Sequence, residues 1–506
     1  MRDIGVHNMT EKSETKTKGK VLRCPNCGAS DAEFDIDAGG LRCLYCHEVF
    51  MSPKINQFGG FEELVGEVRE SGAKDLRDDN YVITFKCPAC GAEIVLDKNS
   101  KEISCHWCRH NLAVSEKIPN GEMPDLVLPF SVKRHTAFLA MKKFADQRKV
   151  FSIGRFHWGL KEKNLRAVYL PYALVDVRAR VKLEGIASAT DANGRLGNIK
   201  VNREFEMRID DLTVEASRDK LKQDTIINTN HIINAILPFD TDEAVAWDSR
   251  YLKGYSCEKR DINIDELKTH LDYQIIEIAK AEASKKIKEY TNCIPSVYDI
   301  EYVGRKWKTA YFPVWLYSCR DIGFGKRRKI HYLALNGRTG EMMGSVPVGK
   351  ITWNIIIFSP LVVSIILACF SSKLNMTRNQ VFGLIVIALI LHVVLTLVAN
   401  SRTEEYINRD AHHDYTKETH ISTVNDKDNS IVVKESLVPT STKAYIRDEK
   451  GNKVEMYPNA EITRDWDEKK SFIEPEKFYR YTIAAIVAGL CIFVVGLILV
   501  SMIGRL

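Results

Sequence analysis

Four Cys-x-x-Cys pairs, Cys24/Cys27, Cys43/Cys46, Cys87/Cys90 and Cys105/Cys108, occupy the first quarter of the chain. A turn of this spacing lets two sulfurs converge on one ion at ~2.3 Å, and a short hairpin brings round a second pair to complete a tetrahedron. Fifteen residues lie between Cys27 and Cys43 and fourteen between Cys90 and Cys105. Cys24-Pro-Asn-Cys-Gly28 and Cys87-Pro-Ala-Cys-Gly91 repeat one knuckle pattern, with glycine relieving the tight backbone. The pattern predicts two four-thiolate zinc ribbons holding two structural Zn2+ ions, with iron or a redox dithiol as the rival chemistry. Four thiolates leave no coordination position open for water or substrate. Each module is too small to fold on its own core, so the metal's binding energy must order it. His47, His106 and His110 flank the ligands and are expected to be surface residues.

The elements around these pairs set the domain plan. Residues 1–20 are polar and lysine-rich, without the apolar stretch of a signal peptide or anchor, and are expected to form a disordered tail. Ribbon 1 is placed at 21–56, a helical linker at 57–80 (Phe61, Leu64, Val65, Val68) and ribbon 2 at 81–117. Residues 125–350 mix helical and strand periods, which predicts an α+β core. Ser131–Val150 and Asn263–Tyr290 read as amphipathic helices, Arg178–Glu184 as a half-buried strand, and His331–Leu335 as a strand entering an Asn336-Gly337 turn. Leu128-Pro-Phe130 and Tyr169-Leu-Pro-Tyr-Ala-Leu174 are echoed by Leu237-Pro-Phe239 and Tyr311-Phe-Pro-Val-Trp-Leu316, so the core reads either as a duplicated unit or as a chance echo. The aromatics beside these prolines are expected in the core.

Three apolar runs, 351–370, 381–399 and 484–502, each reach the ~20 residues needed to cross ~30 Å of hydrocarbon. They predict three transmembrane helices. The polar 401–480 insert, with strand-like pieces around Glu449–Asn452, is expected to be cytosolic, either a small β-hairpin domain or a loose loop. Lys326–Lys329 and Lys350 before the first run, and Lys469, Lys470, Lys477 and Arg480 before the third, outweigh the basic residues on the far sides. This places the ribbons and core in the cytosol and the C-terminus outside a multi-pass inner membrane, where thiolates also stay reduced. His392 is the one ionisable group in the second run and is expected to be a packed, hydrogen-bonded residue.

The charge balance, 72 Lys and Arg against 66 Asp and Glu, gives +6, and the ribbons carry acidic and basic residues in near balance. Neither offers the dense basic face of a nucleic-acid binder, so protein docking is the favoured use of the ribbons. No phosphate-binding loop, Gly-x-Ser-x-Gly elbow or His-Glu-x-x-His occurs, and no charged pair lies within the apolar runs. We therefore expect no enzyme, no catalytic residue and no ion-coupled transporter.

Together the paired ribbons, the Leu-Pro-Phe segments, Tyr169-Leu-Pro-Tyr172, Phe312-Pro-Val-Trp-Leu316 and Leu335-Asn-Gly-Arg-Thr-Gly340 are similar to the bacterial TFIIB-type zinc-ribbon membrane proteins, often labelled replication- or helicase-related. The resemblance spans most of 21–400. It implies a non-enzymatic scaffold or adaptor in envelope stress or membrane organisation, partnered by SPFH (flotillin-like) or phage-shock-protein-A-like proteins, in a homo- or hetero-oligomer. A membrane-tethered nucleic-acid binder and a channel component are the alternatives.

Overall fold

The computed structural model describes residues 22–54, 60–70, 82–89, 91–97, 104–112, 117–118, 124–149, 152–190, 196–216, 236–252, 255–260, 262–288, 290–320, 330–344, 346–347, 350–370, 373–407, 420–433, 443–448, 451–456, 483–495 and 498. The expected 1–20 tail lies outside them.

The first cysteine module is a small antiparallel sheet of β1 (Ala32–Asp35), β2 (Gly40–Cys43) and β3 (Val49–Phe50). It does not stand apart. Ala32, Phe34 and Leu41 belong to a buried cluster with Tyr251 of the core, and the Phe34 ring lies 5.4 Å from that of Tyr251.

Residues 61–69 correct the expected helical linker. Phe61–Glu63 form one 3-10 turn, and β4 (Gly66–Arg69) then pairs in parallel with the core. Gly66 has φ 74°, which breaks a helix, and Val65 is 70% exposed. Pairing decided the outcome over periodicity: a Cβ at Gly304 would meet the Leu64 carbonyl oxygen at 2.5 Å, so only glycine lets β4 approach.

The second module, β5 (Val82–Lys86), β6 (Glu93–Asp97) and β7 (Lys117–Ile118), is continuous with the main sheet. That sheet has sixteen strands among the described residues. After β8 (Leu126–Val127) come two helices, α1 (Arg134–Asp146) and α2 (Gly154–Gly159). The spine follows: β9 (Arg166–Thr190) and β10 (Leu196–Glu215) form a long antiparallel hairpin. β11 (Val245–Ala246) extends β8, and β12 (Ser256–Glu258) joins β6 to β9. α3 (Ile264–Lys286) then packs Leu267, Leu271, Ile275 and Ile278 against the lower half of the spine, and β13 (Thr291–Arg320) pairs with β9 along its length.

The echoed segments lie side by side in this pair: Tyr311 is opposite Pro171 and Pro313 is opposite Tyr169. Proline lacks the N–H a central strand donates. Here each proline stands where the strand's other neighbour changes. On β9 the partner switches from β12 at Tyr169 to β10 at Tyr172. On β13 it switches from β8 at Tyr311 to β14 (Ile330–Asn336) at Val314. Tyr169, Tyr172, Tyr311, Phe312, Trp315 and Tyr317 are all buried, as expected of core aromatics.

β15 (Met342–Gly344) closes a hairpin on β14 and leads to α4 (Lys350–Cys369), which is followed by α5 (Arg378–Ile407). Within α5, Asn379–Val398 is long and apolar enough to cross a membrane. Asn354–Cys369 of α4 and α6 (Ile483–Val495) are shorter apolar helices. Among the described residues, then, one of the three expected spans meets the length required; most of 496–502, the end of the third run, lies outside them.

The described part of the 401–480 insert contains the expected small hairpin, but its strands join the core and form no separate domain or loose loop. β16 (Ile421–Asp428) and β17 (Ile431–Val433) pair with β10, and β18 (Lys443–Arg447) pairs with β13 while β19 (Lys453–Met456) covers β18. The two margins of the spine are thus finished by chain that returns from the apolar helices.

Candidate metal centres

Each described knuckle repeats one backbone device. The first cysteine's N–H donates five residues ahead, Cys24 to Ala29, Cys43 to Glu48, Cys87 to Ala92 and Cys105 to His110, at 2.8–2.9 Å. The residue after the second cysteine donates back to the first cysteine's carbonyl at 2.8–3.1 Å, from Gly28, His47, Gly91 and Arg109. All four of these residues have φ between 61° and 77°. Glycine does this freely; His47 and Arg109 adopt a left-handed conformation that side chains rarely take, which shows the fold over-determining the turn.

The knuckles bring Cys24, Cys27, Cys43 and Cys46 within 4.8 Å of one another, with Cys24 Sγ–Cys46 Sγ and Cys27 Sγ–Cys43 Sγ both 3.5 Å. In the second module Cys87, Cys105 and Cys108 converge in the same way, with Cys87 Sγ–Cys108 Sγ at 3.5 Å. Cys90, the fourth expected ligand, lies outside the described residues. Tetrahedral coordination with ~2.3 Å bonds needs sulfurs ~3.8 Å apart, whereas a disulfide needs ~2.05 Å. These spacings fit a shared metal ion.

The first quartet is electrostatically prepared. Backbone N–H groups of Cys46 and Tyr45 aimed at Cys43 lower its thiol to about 6. Cys27 receives an N–H from Ala29, but desolvation and the neighbouring sulfurs outweigh it and push it up to about 12. Four close thiols cannot all ionise unaided; a cation at their centre reverses that. The scattered Cys257 is different: fully buried, with its thiol pushed well up by desolvation, it is an inert core residue.

The flanking histidines divide. His47 and His110 are exposed. His106, expected at the surface, is 2% exposed: its Nδ1 lies 3.2 Å from Ser256 Oγ, and its carbonyl accepts from Ser318 Oγ at 3.1 Å. Cys87, Cys105 and Trp107 belong to a buried cluster with Leu126, Leu128 and Val168 of the core. The second centre is therefore part of the core's wall.

His392 is buried and lies between the three apolar helices, Nδ1 2.6 Å from the Ile357 carbonyl of α4 and Nε2 3.2 Å from the Ala485 carbonyl of α6. It is the packed, hydrogen-bonded residue its sequence context predicts.

Sequence reasoning missed a third cluster. Asp210 and Asp211 occupy a bulge of β10 between Ile209 and Leu212, with Asp211 at φ 54°, and Asp176 of β9 faces them. Lys308 Nζ reaches Asp176 Oδ2 at 3.0 Å and Asp211 Oδ1 at 3.2 Å. Burial, then Asp211 and Asp176, push Asp210 up to about 7. Lys308 already supplies the cation here, so we read the cluster as a buried ion-pair network. Its only sequence signal is the adjacent acid pair, which breaks the alternation of the strand.

No protein-family model matches this chain, and no solved structure does. It is 22% identical over 353 residues to YdjG of Bacillus subtilis (strain 168), an uncharacterized protein, covering 65% of this chain and 90% of that one.

Proposed function

We propose that this chain is a membrane-anchored, non-enzymatic scaffold: two zinc-held modules built into a rigid cytosolic head that docks partner proteins at the inner membrane. The observation that carries the reading is the return of the chain to its own core. β16 and β18 pair with β10 and β13, so the head and strands β16–β19 share one side of any bilayer. The intervening α4–α5 segment, with its short connector, then crosses twice or not at all, and α5 is apolar enough to cross. With α6 as a third span the C-terminus lies outside, which agrees with the distribution of lysine and arginine.

Zinc is the metal the sites would hold: all-thiolate tetrahedral ligation suits it, and the reducing cytosol keeps the sulfurs available. Closed in this way, the ion supplies folding energy and no reaction. The eight paired cysteines are its ligands in this reading. The family resemblance adds SPFH-type or phage-shock-protein-A-like proteins as partners, in envelope stress or membrane organisation.

The test combines Cys87→Ser with Cys90→Ser in the full chain. One of two bound zinc ions and the co-purifying partner should be lost, while the chain stays in the membrane after alkaline washing. An unchanged zinc stoichiometry, or release of the wild-type chain by alkali, would refute the reading.

A further inference from the structure

Residues 131–166 carry ten lysines and arginines against Asp146 and Glu162 alone, in a chain whose total excess is +6. The two acids are engaged locally: Glu162 Oε2 lies 3.0 Å from His135 Nδ1, and Asp146 lies 4.0 Å from His157. Lys142, Lys143, Lys149, Arg155, Lys161 and Lys163 are exposed, and none forms an ion pair with a described carboxylate. Two large apolar side chains stand among them. Leu139, one turn before Lys142 and Lys143 on α1, is 51% exposed, and Trp158, between Arg155 and Lys161, is 76% exposed. A solvated charged face has no use for an exposed tryptophan. A membrane interface does, since the indole sits at headgroup depth while lysines meet anionic lipid.

The position of the face in the fold supplies the second argument. The Ile153 N–H, which opens α2, donates to the Pro347 carbonyl at 3.0 Å, three residues before α4 begins. Phe156 on the buried side of α2 shares one cluster with Val346, with Ile357 of α4 and with Ala485 of α6. α2, which follows α1 directly, is therefore tied to the segment that leads into the apolar helices, where a bilayer surface would begin.

We infer that the α1–α2 face is a lipid-docking surface that lays Leu139 and Trp158 into the interface and binds anionic phospholipid headgroups through Lys142, Lys143, Lys149, Arg155, Lys161 and Lys163. This rests on the membrane anchorage proposed above and goes beyond it: the anchor fixes the chain in the bilayer, and the face fixes the tilt of the head upon it.

The test uses the full chain in nanodiscs of phosphatidylcholine, with or without phosphatidylglycerol. The emission of Trp158 is taken as the difference between the wild type and Trp158→Phe. In phosphatidylglycerol discs it should shift to the blue, be quenched by shallow brominated lipid, and be shielded from acrylamide about tenfold better than in phosphatidylcholine alone. High salt, or Lys142→Glu with Lys143→Glu and Lys149→Glu, should abolish the difference while the near-ultraviolet circular dichroism stays unchanged. Equal, solvent-like emission in both discs would overturn the inference and leave the anchorage standing. So would a single-stranded oligonucleotide that shifts Trp158 where phosphatidylglycerol does not, which would assign the face to nucleic acid. A chain that fails to enter discs at all would remove the anchorage and this surface with it.

Discussion

The side-chain amide of Asn336 donates to the Pro238 carbonyl at 2.8 Å, and to that of Ile236 at the same distance. Its oxygen accepts from the backbone N–H groups of Arg338 at 2.8 Å and Thr339 at 3.2 Å. The next residue, Gly337, accepts from Ser131 and Val132 and donates to Pro313. One turn thus ties together both Leu-Pro-Phe segments and the second aromatic motif. Asn336→Ala would strip the Ile236 carbonyl and the Arg338 and Thr339 N–H groups of this side chain and should cost about 2–4 kcal/mol, read as a lowered denaturation midpoint of the full chain. Asn336→Asp should be no better, because a carboxylate cannot donate.

The two candidate metal centres should fail differently. Cys24→Ser should loosen β1–β3 alone, because that sheet rests on the core without sharing a strand with it. Cys87→Ser should spread further, because β6 pairs with β12 and β12 with β9. Limited proteolysis after each substitution distinguishes a clipped N-terminal fragment from loss of the whole head.

Asp299 holds the returning chain. Arg447 reaches it at 2.8 and 3.2 Å and Lys453 at 2.8 Å. Burial alone would raise its carboxyl; the two cations outweigh that and hold it below the usual range. The stability this gives is present above the unfolded carboxylate range near pH 4 and is lost as pH falls through the depressed value. Asp299→Asn should remove that acid-side slope, cost about 1–3 kcal/mol at neutral pH, and speed hydrogen exchange in 443–456.

Asp210 has the opposite sign. Its carboxyl is raised to about 7, so the folded chain binds the proton more tightly than the unfolded one. The associated stability is complete below about pH 4 and is lost as pH rises through 7. Asp210→Asn should flatten the melting temperature between pH 5 and 8, as read by thermal scans at each pH. A decline unchanged in the variant would place the titrating group elsewhere.

His392→Leu should weaken the contact of α6 with the other apolar helices by about 0.6–2 kcal/mol, since it removes the imidazole that lies between the Ile357 and Ala485 carbonyls. Gly489→Ala should do the same from the other side, since a Cβ there would run into the imidazole. Cross-linking between cysteines introduced on α4 and α6 reports the separation.

Much of the metal chemistry was legible because it is local: the spacing of Cys24 to Cys108 dictates the knuckles whatever the rest does. Helices α1 and α3 were readable from their apolar period. What was hidden is what depends on distant pairing. Val65 and Val68 carry a helical period, yet β4 is a strand because Gly304, far along the chain, admits it. Ala444–Arg447 reads as one arm of a small hairpin, and β18 and β19 do pair as one; the sequence does not show that Asp299 and β13 hold that hairpin on the core. The echo of Tyr169–Leu174 and Tyr311–Leu316 could be seen, but their lying face to face across one ladder could not. His106 looked like a flanking polar residue because the sequence does not show Ser256 beneath it.

The closure of the spine by β16 and β18 has a consequence for synthesis. The ribosome delivers β10 and β13 more than a hundred residues before their outer neighbours, with two apolar helices in between. Among the described residues, no other strand covers those edges of β10 and of the start of β13 during that interval. Synthesis of α4 and α5 must therefore precede completion of the head, and any pause over that stretch prolongs the life of a sticky, half-built sheet. The order of events is written into the connectivity.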